Sequence, residues 1–186
     1  MALADMNNIE EVTRRLREPF PYGALGFRPQ SAKEDRCIGL AYIDARDVMD
    51  RLDDVVGPAN WKDEMIPLEN GNVMCHLSIR INDEWVTKTD VGGPSEQPDQ
   101  GDRLKAAFSD AMKRAAVKWG IARYICQMDT IWCSYDPKSK TATPKKAFPS
   151  WALPGGSGRP PANEMRPASA PPSPDKEHPA PAAKAD

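Results

Sequence analysis

The residues best suited to chemistry in this sequence are cations. Lys113, Arg114, Lys118 and Arg123 crowd into SDAMKRAAVKWGIARYICQ, residues 109–127, where only Asp110 is acidic. The chain as a whole carries a formal charge of −2. A local basic cluster on an acidic chain suits phosphate. Lys and Arg displace counterions from a nucleic-acid backbone, and nearby aromatic side chains can stack bases or sugars. A basic helix face that is merely solvated has the same pattern, so composition leaves both readings open.

Catalytic groupings are poorer. Cys75 and His76 are adjacent in an alternating stretch, so their side chains point to opposite faces and cannot pair as nucleophile and base. Cys75 reads as core. Asp44, Asp47, Asp50, Asp53 and Asp54 line one segment. The first two suit a helix cap and first turn, and the others a solvated face. A magnesium-dependent nuclease built on Asp44 and Asp47 is the enzymatic alternative. No GxxxxGKS/T loop is present, which argues against a P-loop ATPase. The four cysteines, Cys37, Cys75, Cys126 and Cys133, show no CxxC spacing, and the two histidines are His76 and His178. That set does not make a zinc site and fits reduced thiols in a cytoplasmic protein. The first twenty residues are charged early and contain no apolar run, so no secretory signal is expected. No stretch approaches the ~20 apolar residues that span a bilayer. The expectation is therefore a protein without catalytic residues, metal or cofactor, and without a membrane.

The elements that would position the cations follow from hydrophobic periodicity. A helix is expected from about Asn8 to Arg17, with Ile9, Val12 and Leu16 on one face and Pro19 and Pro21 beyond its end. PFPYGALGFRPQSAKEDR reads as irregular. CIGLAYI, Cys37 to Ile43, reads as a buried strand. Asp44 is an N-cap for a helix whose apolar positions run from Ala45 to Val56, closed by Gly57 and Pro58. NWKDEMIPL reads as a strand. VMCHLSIRI alternates cleanly, with Val73, Cys75, Leu77, Ile79 and Ile81 on one face, and Asn82-Asp83 suits a tight turn into EWVTKTDV. GGPSEQPDQG reads as a loop. The last helix is expected from about Gly101 to Trp119, with Leu104, Phe108, Ala111, Met112, Ala115 and Trp119 as its apolar stripe. Arg103, Arg114 and Lys118 lie on the opposite side, with Lys113 on a flank. Gly120 ends the helix and lets the chain turn without a Cβ clash. Phe108 and Trp119 read as core, and Tyr124 reads equally as core or as a wall of the binding site. Helix, strand, helix, three strands and helix make an α+β fold: a curved antiparallel sheet of three or four strands packed on the last helix.

Composition shifts near residue 137. Twelve of the 19 prolines lie between Pro137 and Pro181. Residues 137–186 hold eight Lys/Arg and four Asp/Glu, a charge of +4, against −6 for residues 1–136. With almost no large apolar side chains, 137–186 is expected to be a disordered, basic, Pro/Ala-rich tail. Lys138, Lys140, Lys145 and Lys146 sit where it leaves the domain, either for solubility or as an auxiliary phosphate-binding arm.

YIDARDVMDRLDDVVGPANWKDEM, then DVGG, then FSDAMKRAAVKWGIARYI resemble, in that order, the Rad52/Rad22 family of DNA double-strand break repair proteins. PFPYGALGFRP, upstream, resembles the corresponding segment of its bacterial and phage members. The resemblance covers roughly residues 9–130. It implies a β-β-β-α core and protomers that assemble into a homo-oligomeric ring, with single-stranded DNA held by its backbone in a basic groove. It implies ATP-independent annealing of complementary strands in recombination and repair, without covalent chemistry. Bacterial and phage members also act beside a single-strand binding protein, which the tail is placed to meet. MKRA puts Lys113 and Arg114 where the family holds the DNA backbone, and FRPQ puts Arg28 at the arginine of the upstream segment. Lys118 and Arg123 join the DNA-binding set from helical geometry alone, with contact to a neighbouring subunit as the alternative for Lys118. The Asn82-Asp83-Glu84 tip departs from the lysine that eukaryotic members carry there, which puts an outer duplex site in doubt. The alternative is a ring-forming interaction module that has lost DNA binding.

Overall fold

The computed structural model describes residues 4–6 and 8–158. Among these described residues three α-helices, α1 (Ile9–Leu16), α2 (Ala45–Val56) and α3 (Gln100–Trp119), accompany seven strands. β3 (Trp61–Pro67), β4 (Val73–Ile81) and β5 (Glu84–Gly92) form an antiparallel sheet in sequence order. β1 (Gly26–Lys33), β2 (Arg36–Tyr42), β6 (Ile131–Asp136) and β7 (Thr141–Pro144) form a second, in the order β1-β2-β6-β7. The α+β expectation holds.

Local chemistry sets the element ends. Asn8 Oδ1 accepts the Glu11 amide at 3.1 Å to start α1, and the guanidinium of Arg51 donates to the carbonyls of Arg15, Leu16 and Glu18 at its far end. Asp44 and Asp47 close a reciprocal capping box on α2. The two carboxylates of the enzymatic alternative thus serve as the cap and first-turn acceptors of α2. Asn82 and Asp83 both have positive φ, 50° and 64°, the form a two-residue hairpin turn requires. One core joins the layers: Val12 and Leu16 from α1, Leu52 from α2, Leu77 and Ile79 from β4, and Ala111 and Ala115 from α3 are all fully buried.

Several expectations are corrected. The segment read as irregular contains β1, and β6 and β7 complete a second sheet where a single one was expected. β1 and β7 are edge strands of mixed polarity, with Pro29 and Pro144, and β7 has only four residues. An edge strand tolerates proline and buries one face at most, so neither shows alternating apolar residues. β2 is not buried on both faces, because Leu40 and Tyr42 stand exposed. Leu104 is 41% exposed, and the buried face of α3 begins only at Ala107. The folded region also runs past residue 136. β7 pairs with β6, and Phe148 and Ala152 bury themselves in the core. A proline-rich stretch can still fold when a few large apolar residues such as Phe148 and Trp151 find a surface. Residues 159–186, the remainder of the expected tail, lie outside the described residues.

Candidate nucleic-acid interface

Strand β5 and helix α3 are locked together by the residues of DVGG. Gly92 has no room for a side chain: a Cβ there would lie 2.1 Å from the Ala111 amide nitrogen and 2.6 Å from the Ala107 carbonyl oxygen. The missing Cβ is what brings strand backbone onto helix backbone. The Gly93 amide donates to Asp110 Oδ2 at 3.1 Å. Asp90 then receives two cations from the helix, Arg114 Nε at 3.4 Å and Lys118 Nζ at 3.3 Å. Lys118 also donates to the Thr89 carbonyl. Desolvation alone would raise the Asp90 pKa. The Val91 amide, Lys118 and Arg114 outweigh it and hold the carboxyl below its ordinary value. Both cationic side chains stay about half exposed, 55% for Arg114 and 47% for Lys118. Asp90 thus fixes their position while two positive charges face one negative.

Lys113 occupies the adjoining flank of α3. Its ammonium is 5.9 Å from the ring centroid of Tyr42 on β2. The Tyr42 ring lies across Gly26 of β1, where a Cβ would meet Cζ at 2.3 Å. Gly26 pairs with Tyr42 and Arg28 with Leu40, so Arg28, Leu40 and Tyr42 share one face of the four-stranded sheet. Arg28 is exposed there. The structure therefore brings Arg114 together with Lys118, and Lys113 to the edge of the face that carries Arg28.

Arg123 is used differently. Its Nε donates to the Val117 carbonyl at 2.8 Å and its guanidinium NH2 group to the Lys118 carbonyl at 2.7 Å. It closes the C-terminal end of α3, where a cation also complements the helix dipole. Gly120, at φ 100°, makes the left-handed turn that allows this.

The aromatic residues near the helix are internal. Trp119 is buried and its indole donates to the Leu77 carbonyl at 3.1 Å. Tyr124 is fully buried and its hydroxyl accepts the Phe20 amide at 3.2 Å, so the core reading applies. Phe108 packs half-buried against the core. Cys75 is buried, and desolvation, with Asp63 nearby, pushes its thiol up to about 12. His76 turns to the other face and hydrogen-bonds Thr89 Oγ1 at 2.6 Å. The hairpin tip is acidic as read, with Asp83 paired to Arg80 at 2.8 Å. Among the described residues no helix is long and apolar enough to cross a membrane.

Sequence reasoning passed over Tyr42 and Trp132, which are 48% and 56% exposed. A signal existed for the second. IWCSYD alternates, so Trp132 lies opposite the buried Cys133.

Residues 8–143 match the model of the Rad52/22 family double-strand break repair proteins. The chain belongs to that family. Its relatives include the single-stranded DNA-binding protein DdrA of Deinococcus deserti, 36% identical over 150 residues, covering 78% of this chain and 72% of that one. The single-stranded DNA-binding protein DdrA of Deinococcus radiodurans is 35% identical over 148 residues, 78% of this chain and 69% of that one. No solved structure matches the chain. The Rad52/22 match ends at residue 143, within β7. It thus takes in both sheets and the whole α3–β5 lock.

Proposed function

We propose that the protein binds single-stranded DNA through Lys113, Arg114 and Lys118 of α3 together with Arg28 of β1, and anneals complementary strands in DNA repair. The observation that carries this reading is the Asp90 anchor. It holds Arg114 and Lys118 half exposed, in fixed places, beside Lys113. Preset cations lose little entropy on meeting phosphate, and a backbone contact of this kind is independent of sequence. Membership of the Rad52/22 family and the names of the DdrA relatives support the same reading.

In this reading no covalent step takes place. Phosphates bind the protein, base edges stay free, and pairing itself supplies the driving force. Protomers form a ring, and residues 159–186 are the arm that meets a single-strand binding protein. Arg123 serves by closing the helix that presents the other cations.

The test is annealing of two complementary labelled oligonucleotides, followed by energy transfer without nucleotide or divalent metal. Pairing well above the protein-free rate supports the proposal. A rate equal to that control, with intact binding of the strands, restricts the protein to coating. Absence of binding favours the interaction module instead.

A further inference from the structure

The exposed face of the four-stranded sheet continues the basic surface beyond Arg28. Gln30, Ile38 and Trp132 lie side by side across β1, β2 and β6. The Lys145 amide donates to the Trp132 carbonyl at 2.9 Å, which sets Lys145 opposite Trp132 at the far edge. Trp132 is the most exposed large apolar side chain among the described residues, at 56%. Between Tyr42 and Trp132 this face carries no carboxylate. Glu34 and Asp35 lie in the β1–β2 turn, and Asp136 ends β6, where it accepts from the Ser139 hydroxyl and the Lys138 amide of the β6–β7 turn. All three gather at one end of the sheet.

We infer that Trp132 is a stacking platform for a base of single-stranded DNA, with Lys145 and Arg28 taking the phosphates on either side of it. This rests on the reading proposed above and extends the strand's path from α3 across β2 to the β6–β7 hairpin. Three features favour nucleic acid over a second copy of the chain on this face. The flanks are cationic, whereas the centres of protein–protein interfaces are poor in charge and above all in lysine. The exposed aromatic ring has Lys145 beside it and Arg28 further across the same face, the pairing of a stacking group with cations that single-strand sites use. The face also joins the Lys113–Tyr42 contact without a break.

The test compares the full chain with its Trp132→Ala and Trp132→Phe variants on two probes of equal length, oligo-dT and the same backbone with the central bases removed. Oligomer size is measured in parallel by light scattering. Trp132→Ala is expected to weaken oligo-dT binding by about fivefold or more, to leave binding to the abasic strand unchanged, and to be largely restored by phenylalanine. Equal loss on both probes, or no loss on either, overturns the stacking role while the proposed function stands. A change in oligomer size with Trp132→Ala assigns the face to subunit contact and overturns it too. Failure of the unaltered chain to bind either probe removes the underlying reading as well.

Discussion

Arg114 Nε lies 3.4 Å from Asp90 Oδ1, joining the basic helix to the strand that ends in DVGG. Two motifs whose paired residues lie 24 positions apart in sequence are thus one piece of structure. Asp90 also lowers the net charge of the surface it organises. Replacing it with asparagine is expected to tighten single-strand binding at low salt and to steepen the salt dependence by up to about one unit of slope. Unchanged affinity and slope would mean that DNA passes elsewhere.

The same pair has a pH signature. The folded-state pKa of Asp90 lies below its ordinary value of 3.8. Its stabilising contribution is therefore complete above that value and is lost as pH falls through the lowered one. The pair is partly exposed, so the effect stays below about 1 kcal/mol. Thermal unfolding of the parent and of Asp90→Asn is expected to differ slightly near neutral pH and to converge in strong acid. A difference that grows on acidification would contradict the assignment.

Gly92 and Gly93 separate close packing from mere loop position. Gly92→Ala forces a methyl group against the backbone of α3 and is expected to cost about 1–3 kcal/mol or more. Gly93→Ala meets nothing nearer than Asn72 Oδ1 at 3.8 Å, so its effect is expected to be small. Urea titration of both variants measures the contrast. Equal stabilities would refute the packing account of DVGG.

Tyr124 tests the line between core and site. Tyr124→Phe removes the acceptor of the buried Phe20 amide and is expected to cost about 1–3 kcal/mol in urea unfolding. Single-strand affinity should not change. Weaker binding at full stability would move Tyr124 into the interface.

Thiol reactivity reads the burial pattern. Cys37, Cys75 and Cys133 are buried and Cys126 is exposed. Burial holds the Cys75 and Cys133 thiols above their ordinary range, and so protonated and unreactive at pH 8. A disulfide reagent is expected to modify Cys126 quickly in the native protein and all four cysteines after denaturation. Fast modification of Cys75 would contradict the core reading.

The helices and the β3–β4–β5 meander were legible because each carries its own period and its own stop signals. Asp44 and Gly57 bracket α2, and the Asn82-Asp83 turn follows an unbroken alternation from Val73 to Ile81. The four-stranded sheet was not legible. β1 and β7 are edges whose prolines resemble loop signals, and the pairing that joins their two hairpins, β2 with β6, spans a long stretch of chain. In the proposed interface, Lys113 and Arg114 come from the helical wheel and the family motif. The anchor at Asp90 was not, since nothing local to DVGG reveals which helix residues it meets. The carbonyl contacts of Arg123 were hidden for a related reason: a cation just past a helix end caps carbonyls as readily as it faces a ligand.

The most direct measurement is fluorescence anisotropy of a labelled oligo-dT titrated with the full chain at several salt concentrations, for the parent and for Lys113→Ala and Arg114→Ala. The account predicts tight binding that weakens with salt, preference over duplex competitor, and a slope reduced by about one in each variant. Binding with parental affinity and slope in both variants would contradict the central claim that α3 holds the DNA backbone.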